Sequence, residues 1–276
     1  MCRWSTIQGE PSQLERSALA DTLEPMCTYA FSFDPGHDWP FVIAGNRDER
    51  QDRAWAAPAA HWPDREGVVG GLDQLGGGTW AGINQHGVVA CLLNRWDTLG
   101  PAAGKRSRGE IVLDALDFAD ACDAAEALAD LSPDAYLGFN LILADNRDCF
   151  WLHLRAGSAV QVKAVRRGIH LITHGDLNEM ATRRIARYLP QFQALGPPEM
   201  PDTIDSWSHW RMLLTDRSLD PSDDPKSGLL VEMPEMNFGT SSQSFFALRS
   251  IETVARAGEV GVYFFASPHK PLTRVL

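Results

Sequence analysis

The chain has 276 residues, 44% of them hydrophobic and 22% charged, and a net charge of −11. A chain of this length buries about three quarters of its unfolded surface, so it can fold without a metal or disulfide staple. The acidic balance argues against a binder of nucleic-acid phosphates, and no run of 18 apolar residues is present to span a membrane. The five cysteines (Cys2, Cys27, Cys91, Cys122, Cys149) form neither CxxC nor CxxCH. That removes zinc ribbons and thioredoxin-like redox chemistry and leads us to expect a reduced, cytoplasmic setting with mostly inert thiols.

Residues 1–25 carry a charge of −2, leaving −9 for the remainder, and show no periodic apolar stripe. They lack the basic start and apolar middle of a secretory signal, and four acids argue against a mitochondrial targeting peptide. We read residues 1–26 as a disordered extension or propeptide and residues 27–276 as a single domain. Met26-Cys27 is then a second possible N-terminus, placed directly before the first good strand.

In chain order, residues 28–33 (TYAFSF) and 39–44 (WPFVIA) are rich in β-formers and flank the turn DPGHD. Pairing around that turn gives residue numbers summing to about 73, which sets Cys27 opposite Asn46. A one-residue slip would reverse the faces. Residues 80–83 and 88–93 form another strand pair. Ser107-Arg108-Gly109-Glu110 reads as a capping box ahead of a helix through Ala121, and a second helix is expected from Asp123 to Leu131. Strands are expected over 139–144, 149–154, 160–165 and 169–173, helices over 181–195 and 204–215, and strands again over 244–248 and 260–265. The proline-rich stretches 196–201 and 221–225 read as surface connections. Strand pairs, helices, more strands and more helices make a layered α+β domain, not a doubly wound sheet. The echo between AGNRD (44–48) and ADNRD (144–148) reads as two independent strand-to-turn transitions.

Several motifs fail. GPAAGKRS (100–107) is one spacer short of a phosphate loop, GGGTWAG (76–82) is not GxGxxG, and neither HExxH nor GxSxG occurs. The eight histidines show no metal-ligand spacing, so no metal is expected. What remains is Cys27 with Asn46-Arg47-Asp48-Glu49. A cysteine at the first position of a chain carries a thiol and an α-amine of pKa near ~8, so one residue supplies nucleophile and general base. Arg47 can depress the thiol pKa and orient a substrate carboxyl, and Asp48 can hold the α-amine. The competing reading of Arg47, Asp48 and Glu49 is a solvated cluster of ion pairs at a turn.

From Met26 onward the chain resembles the NRDE family, also called the transport and Golgi organisation protein 2 family. The resemblance rests on MCTYAFSFDPGHDWPFVIAGNRDER (26–50), GGGTWAGINQHGVVACLLNR (76–95) and KRSRGE (105–110), with FNLILADNRD and FGTSSQS (238–244) similar to later blocks. That family in turn is similar to the cysteine branch of the N-terminal nucleophile hydrolases. The resemblance implies a four-layer αββα sandwich in which Cys27 is the nucleophile, Asp48 binds its α-amine and Asn94 helps build an oxyanion hole. Arg47 follows Asn46 here, whereas the choloylglycine pattern has its arginine before the asparagine. Thr173-His174 stands where those hydrolases carry Thr-Asn. Asn46 and His174 are therefore expected as substrate-binding residues, and the block at 238–244 lacks an arginine that relatives often show.

Two functions follow. One is an amidohydrolase acting on a linear or acyl amide through a thioester at Cys27, with no cofactor required. The other, implied by the family's roles in Golgi organisation and haem handling, is a carrier of haem or another hydrophobic ligand, contacted through Cys27 or His174. A scaffold without a small-molecule site is a third. The nine tryptophans suit an apolar pocket, though core packing accounts for most of them, and a pocket is expected to be lined from loops such as 55–64 and 97–105.

Overall fold

Strand alternation decides which side chains meet here. The computed structural model describes residues 27–95, 98, 102–219 and 227–276. The extension 1–26 with Cys2 and Met26, part of the segment 97–105, and the proline-rich stretch 221–225 lie outside them.

The first sheet runs β10 (Gly168–Ile172), β1 (Thr28–Phe33), β2 (Phe41–Arg50), β12 (Phe238–Leu248), β13 (Gly261–Ala266), β14 (Thr273–Arg274), with β11 (Glu232–Met233) paired to β12. The second is a meander of β3 (Trp55–Ala59), β4 (Val69–Asp73), β5 (Ala81–Ile83), β6 (Val89–Asn94), β7 (Phe139–Ala144), β8 (Cys149–Leu154) and β9 (Gln161–Ala164). All pairings are antiparallel.

Tyr29, Phe31, Phe41, Ile43, Phe246 and Leu248 of the first sheet share one buried cluster with Val89, Cys91, Ile142 and Trp151 of the second. The alternate residues face outward. Ala30, Val42, Ala44 and Phe245 pack against α3 (Arg183–Leu195) and α4 (Ser208–Leu214). Ala90, Leu141 and Phe150 pack against α1 (Gly109–Leu116) and α2 (Ala121–Ala129). The layers are therefore helix, sheet, sheet, helix, the αββα sandwich expected from the sequence resemblance. α5 (Ile251–Ala257) buries none of its residues.

Several elements match the pattern reading to the residue: β1, β7 and β8. Others differ for identifiable reasons. β2 continues to Arg50 because β12 pairs with it along its whole length, so Asn46-Arg47-Asp48-Glu49 lies inside a strand and not in a turn. The capping box does not form. Arg108 occupies the cap position without a side-chain bond, and Glu110 instead accepts from Arg106 at 2.9 Å. The next helix is capped by Asp120, whose side chain accepts from the Asp123 N–H. β3 and β4 escape a pattern search because one holds Pro58 and the other two glycines. The two AGNRD-like segments are unrelated in structure: Asp145 turns the chain by accepting from the N–H groups of Arg147 and Asp148.

The largest correction is register. Phe33 pairs with Phe41 and Thr28 with Asn46, so the numbers sum to 74. A seven-residue connection, closed by Asp34 N–H donating to Pro40 O, accounts for it. Continuing that ladder by one residue brings Cys27 level with Arg47. At Gly45 the two strands approach so closely that a Cβ would lie 2.2 Å from Tyr29 Cδ1 and 2.4 Å from the Thr28 carbonyl oxygen. Gly45→Ala is expected to cost about 1–3 kcal/mol in urea unfolding, because backbone atoms cannot step aside. Unchanged stability would show that this approach is looser than described.

Candidate functional site

The sulfur of Cys27 is held by one peptide unit of the neighbouring strand. Asp48 N–H donates to Cys27 Sγ at 3.4 Å, and the thiol lies 3.6 Å from the Asp48 carbonyl oxygen. The Arg47 guanidinium lies 4.4 Å over the Trp80 ring, donates to Ser241 Oγ at 3.0 Å and pairs with Glu49 at 3.5 Å. Ser241 reaches it because β12 bulges between Thr240 and Ser242, and Ser241 Oγ donates back to the Arg47 carbonyl at 3.1 Å. A charge chain continues from Glu49 to Arg53 at 3.7 Å and from Arg53 to Asp73 at 2.6 Å.

Asp48 points the other way, toward the helix layer. Thr240 donates to its Oδ1 at 2.7 Å, and Arg184 of α3 lies 3.6 Å from Oδ2 while also donating to Thr28 Oγ1 at 2.8 Å. Oδ2 is buried without a hydrogen bond among the described residues. Burial pushes the Cys27 thiol up to about 12, and the adjacent Asp48 charge adds to the rise. Burial also pushes Asp48 up to about 7, against the opposing pull of Arg184, Thr240 and Arg47. With the folded value raised, this group's contribution to stability is complete below pH about 4 and is lost as pH rises through neutrality.

A cavity of about 940 Å³ opens beside Cys27 and takes in Arg47, Asp48 and Asn94. These four predicted residues are brought together. Asn94 sits at the end of β6, partly exposed. The cavity wall carries Arg50, Arg53, Lys105, Arg106 and Arg108 as well as Glu49, Asp52 and Asp73. Leu75, Trp80, Leu92, Leu137 and Phe238 share the wall with these charged groups, so it is apolar as well as charged. Lys105 is part of it, as the expected 97–105 segment implied. Residues 55–64 are not, because 55–59 form the edge strand β3.

Asn46 and His174 do not line the cavity. Asn46 is fully buried on the opposite face of β2, where it donates to the carbonyls of Leu214 and Leu229, both at 2.8 Å, and accepts from Gln243 at 2.9 Å. This follows from the corrected register. Its role is to fasten β2 to the helix layer. His174 is buried beyond the end of β10, level with Cys27 if the Tyr29–Ile172 pairing is continued. The carbonyls on either side of it, of Thr173 and Gly175, are held by Asn140 at 3.0 and 2.8 Å, and Asn140 accepts from Arg95 at 2.6 Å.

Pattern reading missed Arg184, Thr240, Ser241 and Trp80. The last three lie in blocks that carry the family resemblance, and that was their only signal. Arg184 had none, since nothing local distinguishes it from Arg183 or Arg187. Among the described residues, no group of three or more His, Cys, Asp or Glu is arranged to hold a metal, and no helix is long and apolar enough to cross a membrane.

The sequence matches the family described as Transport and Golgi organisation 2 over residues 26–254. The chain belongs to that family. A bovine Transport and Golgi organization protein 2 homolog is 36% identical over 129 residues, 44% of this chain and 45% of that protein. The human homolog is 35% identical over 131 residues, with the same coverage. The match thus spans less than half the length of these curated relatives. Among solved structures, penicillin V acylase from Agrobacterium tumefaciens aligns with a TM-score of 0.52 at 16% identity, covering 90% of this chain and 86% of its own. The Caenorhabditis elegans ortholog of N-acylethanolamine-hydrolyzing acid amidase gives 0.52 at 13%, covering 79% and 92%. A C2A mutant of conjugated bile acid hydrolase from Clostridium perfringens gives 0.51 at 12%, covering 90% and 92%. At these identities the likeness establishes the fold, which is that of the N-terminal nucleophile hydrolases.

The two faces of β2 predict different phenotypes. Asn46→Ala orphans two buried carbonyls and is expected to cost at least about 2 kcal/mol in urea unfolding while leaving the alkylation rate of Cys27 within about twofold. A larger change in that rate would place Asn46 in the site.

Proposed function

We propose that this family member is a cysteine amidohydrolase that cleaves a linear or acyl amide through a thioester at Cys27, once Cys27 is the first residue of the mature chain. The observation that carries the reading is the buried Asp48 carboxyl. Its Oδ2 has no hydrogen bond among the described residues, while its own peptide unit holds the Cys27 sulfur. In the mature form, a free α-amine on Cys27 would be a donor for this oxygen beside the Arg184 guanidinium, which lies 3.6 Å from it. The three solved neighbours, each named for an acylase, amidase or hydrolase, support the same chemistry.

In this mechanism the α-amine takes the thiol proton and the thiolate attacks the acyl carbon. Asn94 donates to the oxyanion, where an aimed donor is worth several kcal/mol. The proton passes to the departing nitrogen, the amine leaves, and a water deprotonated by the α-amine hydrolyses the thioester and restores the thiol. Arg47, fixed over Trp80, orients the substrate. The basic residues of the wall suit a substrate carrying an anionic group. The alternative is a carrier of haem or another hydrophobic ligand, for which the apolar part of the wall would serve. We expect haem titration to give no Soret shift that Cys27→Ala or His174→Ala abolishes. Such a shift would favour the carrier.

Intact mass tests the first requirement: an active form beginning at Cys27 is expected, and activity in a chain that retains residues 1–26 would defeat the mechanism. Iodoacetamide is expected to alkylate Cys27 at neutral pH at least about tenfold faster when Cys27 is N-terminal than when Met26 precedes it, because only the former has a base beside the half-buried thiol. Since the α-amine must be neutral to act as base, hydrolysis should rise with pH through the amine pKa, ~8 when unperturbed, and Asp48→Asn, which removes the anion that favours the ammonium, should move that limb to lower pH.

A further inference from the structure

Arg184 is a charged residue only 2% exposed, on the buried face of α3, with its neighbours Ile185, Tyr188 and Leu189 in the core behind the first sheet. A buried ion pair is poor evidence of stabilisation, since an apolar residue of similar volume often serves as well. What its guanidinium touches is informative. Nη1 donates to Thr28 Oγ1 at 2.8 Å and lies 3.6 Å from Asp48 Oδ2. Thr28 follows Cys27 in the chain, and Asp48 is the residue whose peptide unit holds the Cys27 sulfur. One side chain from the helix layer therefore grips both residues that bracket the thiol. Thr240 of β12 donates to the other carboxyl oxygen at 2.7 Å.

We propose that Arg184 is a positioning residue of the Cys27 site: it keeps Asp48 anionic and aimed with Oδ2 available to an amine donor, and it fixes Thr28 so that Cys27 stays on the Asp48 peptide unit. This rests on the amidohydrolase reading for its purpose, though not for its physics. The groups facing Asp48 are Arg184 from α3, Thr240 from β12, Arg47 from its own strand and Cys27 from β1. Thr240 is neutral, and Arg47 is committed to Trp80, Ser241 and Glu49 on the other face. Arg184 is thus the cation that opposes burial most strongly, and Asp48 stands at about 7 with that opposition in place.

The experiment follows the Asp48 carboxyl by 13C NMR titration in the full chain, in Arg184→Met, Arg184→Lys and Thr28→Val, with unfolding curves confirming that each variant is folded. Arg184→Met should raise the Asp48 midpoint by about 1–3 units, Arg184→Lys should bring most of it back, and Thr28→Val should leave it near the wild-type value. With an amide substrate in hand, Arg184→Met should lower kcat at neutral pH at least about tenfold with KM little changed. A folded Arg184→Met with an unmoved Asp48 midpoint overturns the proposal. If Arg184→Met does not fold, a wild-type midpoint in Arg184→Gln, which keeps hydrogen-bonding capacity without charge, overturns it equally. Failure of the hydrolase reading would show separately, as an active form retaining residues 1–26, with the carboxyl titration still deciding Arg184.

Discussion

The pairing of β1 with β2 is the constraint on which the site depends. Side chains alternate across a strand, so register decides chemistry as much as it decides packing. With Thr28 opposite Asn46, Cys27 and Arg47 share the inter-sheet side, and Thr28, Asn46 and Asp48 share the helix side. Shifted by one residue, Asn46 would stand level with the thiol and Arg47 would lose Trp80. The close approach at Gly45 pins the strands where the register matters most.

Division of labour within Asn46-Arg47-Asp48-Glu49 follows from the same alternation. Asn46 is a brace, spending its amide on two backbone carbonyls of the helix layer. Arg47 faces the cavity and is immobilised by an aromatic face, a hydroxyl and a carboxylate. Asp48 serves twice, through its peptide unit on one side and its carboxyl on the other. Glu49 joins Arg47 to Arg53 and so carries the charge chain across to Asp73 in the second sheet. Four consecutive residues thus do four separate jobs because a strand, unlike a turn, gives each its own direction.

Burial sets the electrostatics. Removing a thiol or carboxyl from water disfavours its charged form, and here that effect outweighs the neighbouring arginines for both Cys27 and Asp48. A thiol held so high carries little thiolate at neutral pH. In the proposed mechanism, the α-amine of an N-terminal Cys27 is the group that would change this balance at close range. The αββα frame contributes by keeping both sheets rigid around the gap, with Asn140 and Arg95 tying the end of β6 to the segment after β10.

The sequence by itself determined the layered α+β architecture and most strand positions, and it singled out Cys27, Arg47, Asp48 and Asn94 as candidates that the fold brings to one cavity. Period-two alternation and β-rich composition are local signals, and the motif blocks fall on contiguous residues. Tertiary structure alone decided the rest. The length of β2 depends on a partner almost 200 residues away. The helical cap at Ser107 gave way to a pairing of Arg106 with Glu110, and β3 and β4 hold their place through sheet neighbours that override proline and glycine. The face of Asn46 turned on register, which no run of β-formers encodes beyond one residue's precision. Arg184 is the clearest case: only when α3 packs across β1 and β2 does one ordinary arginine come to lie against Asp48.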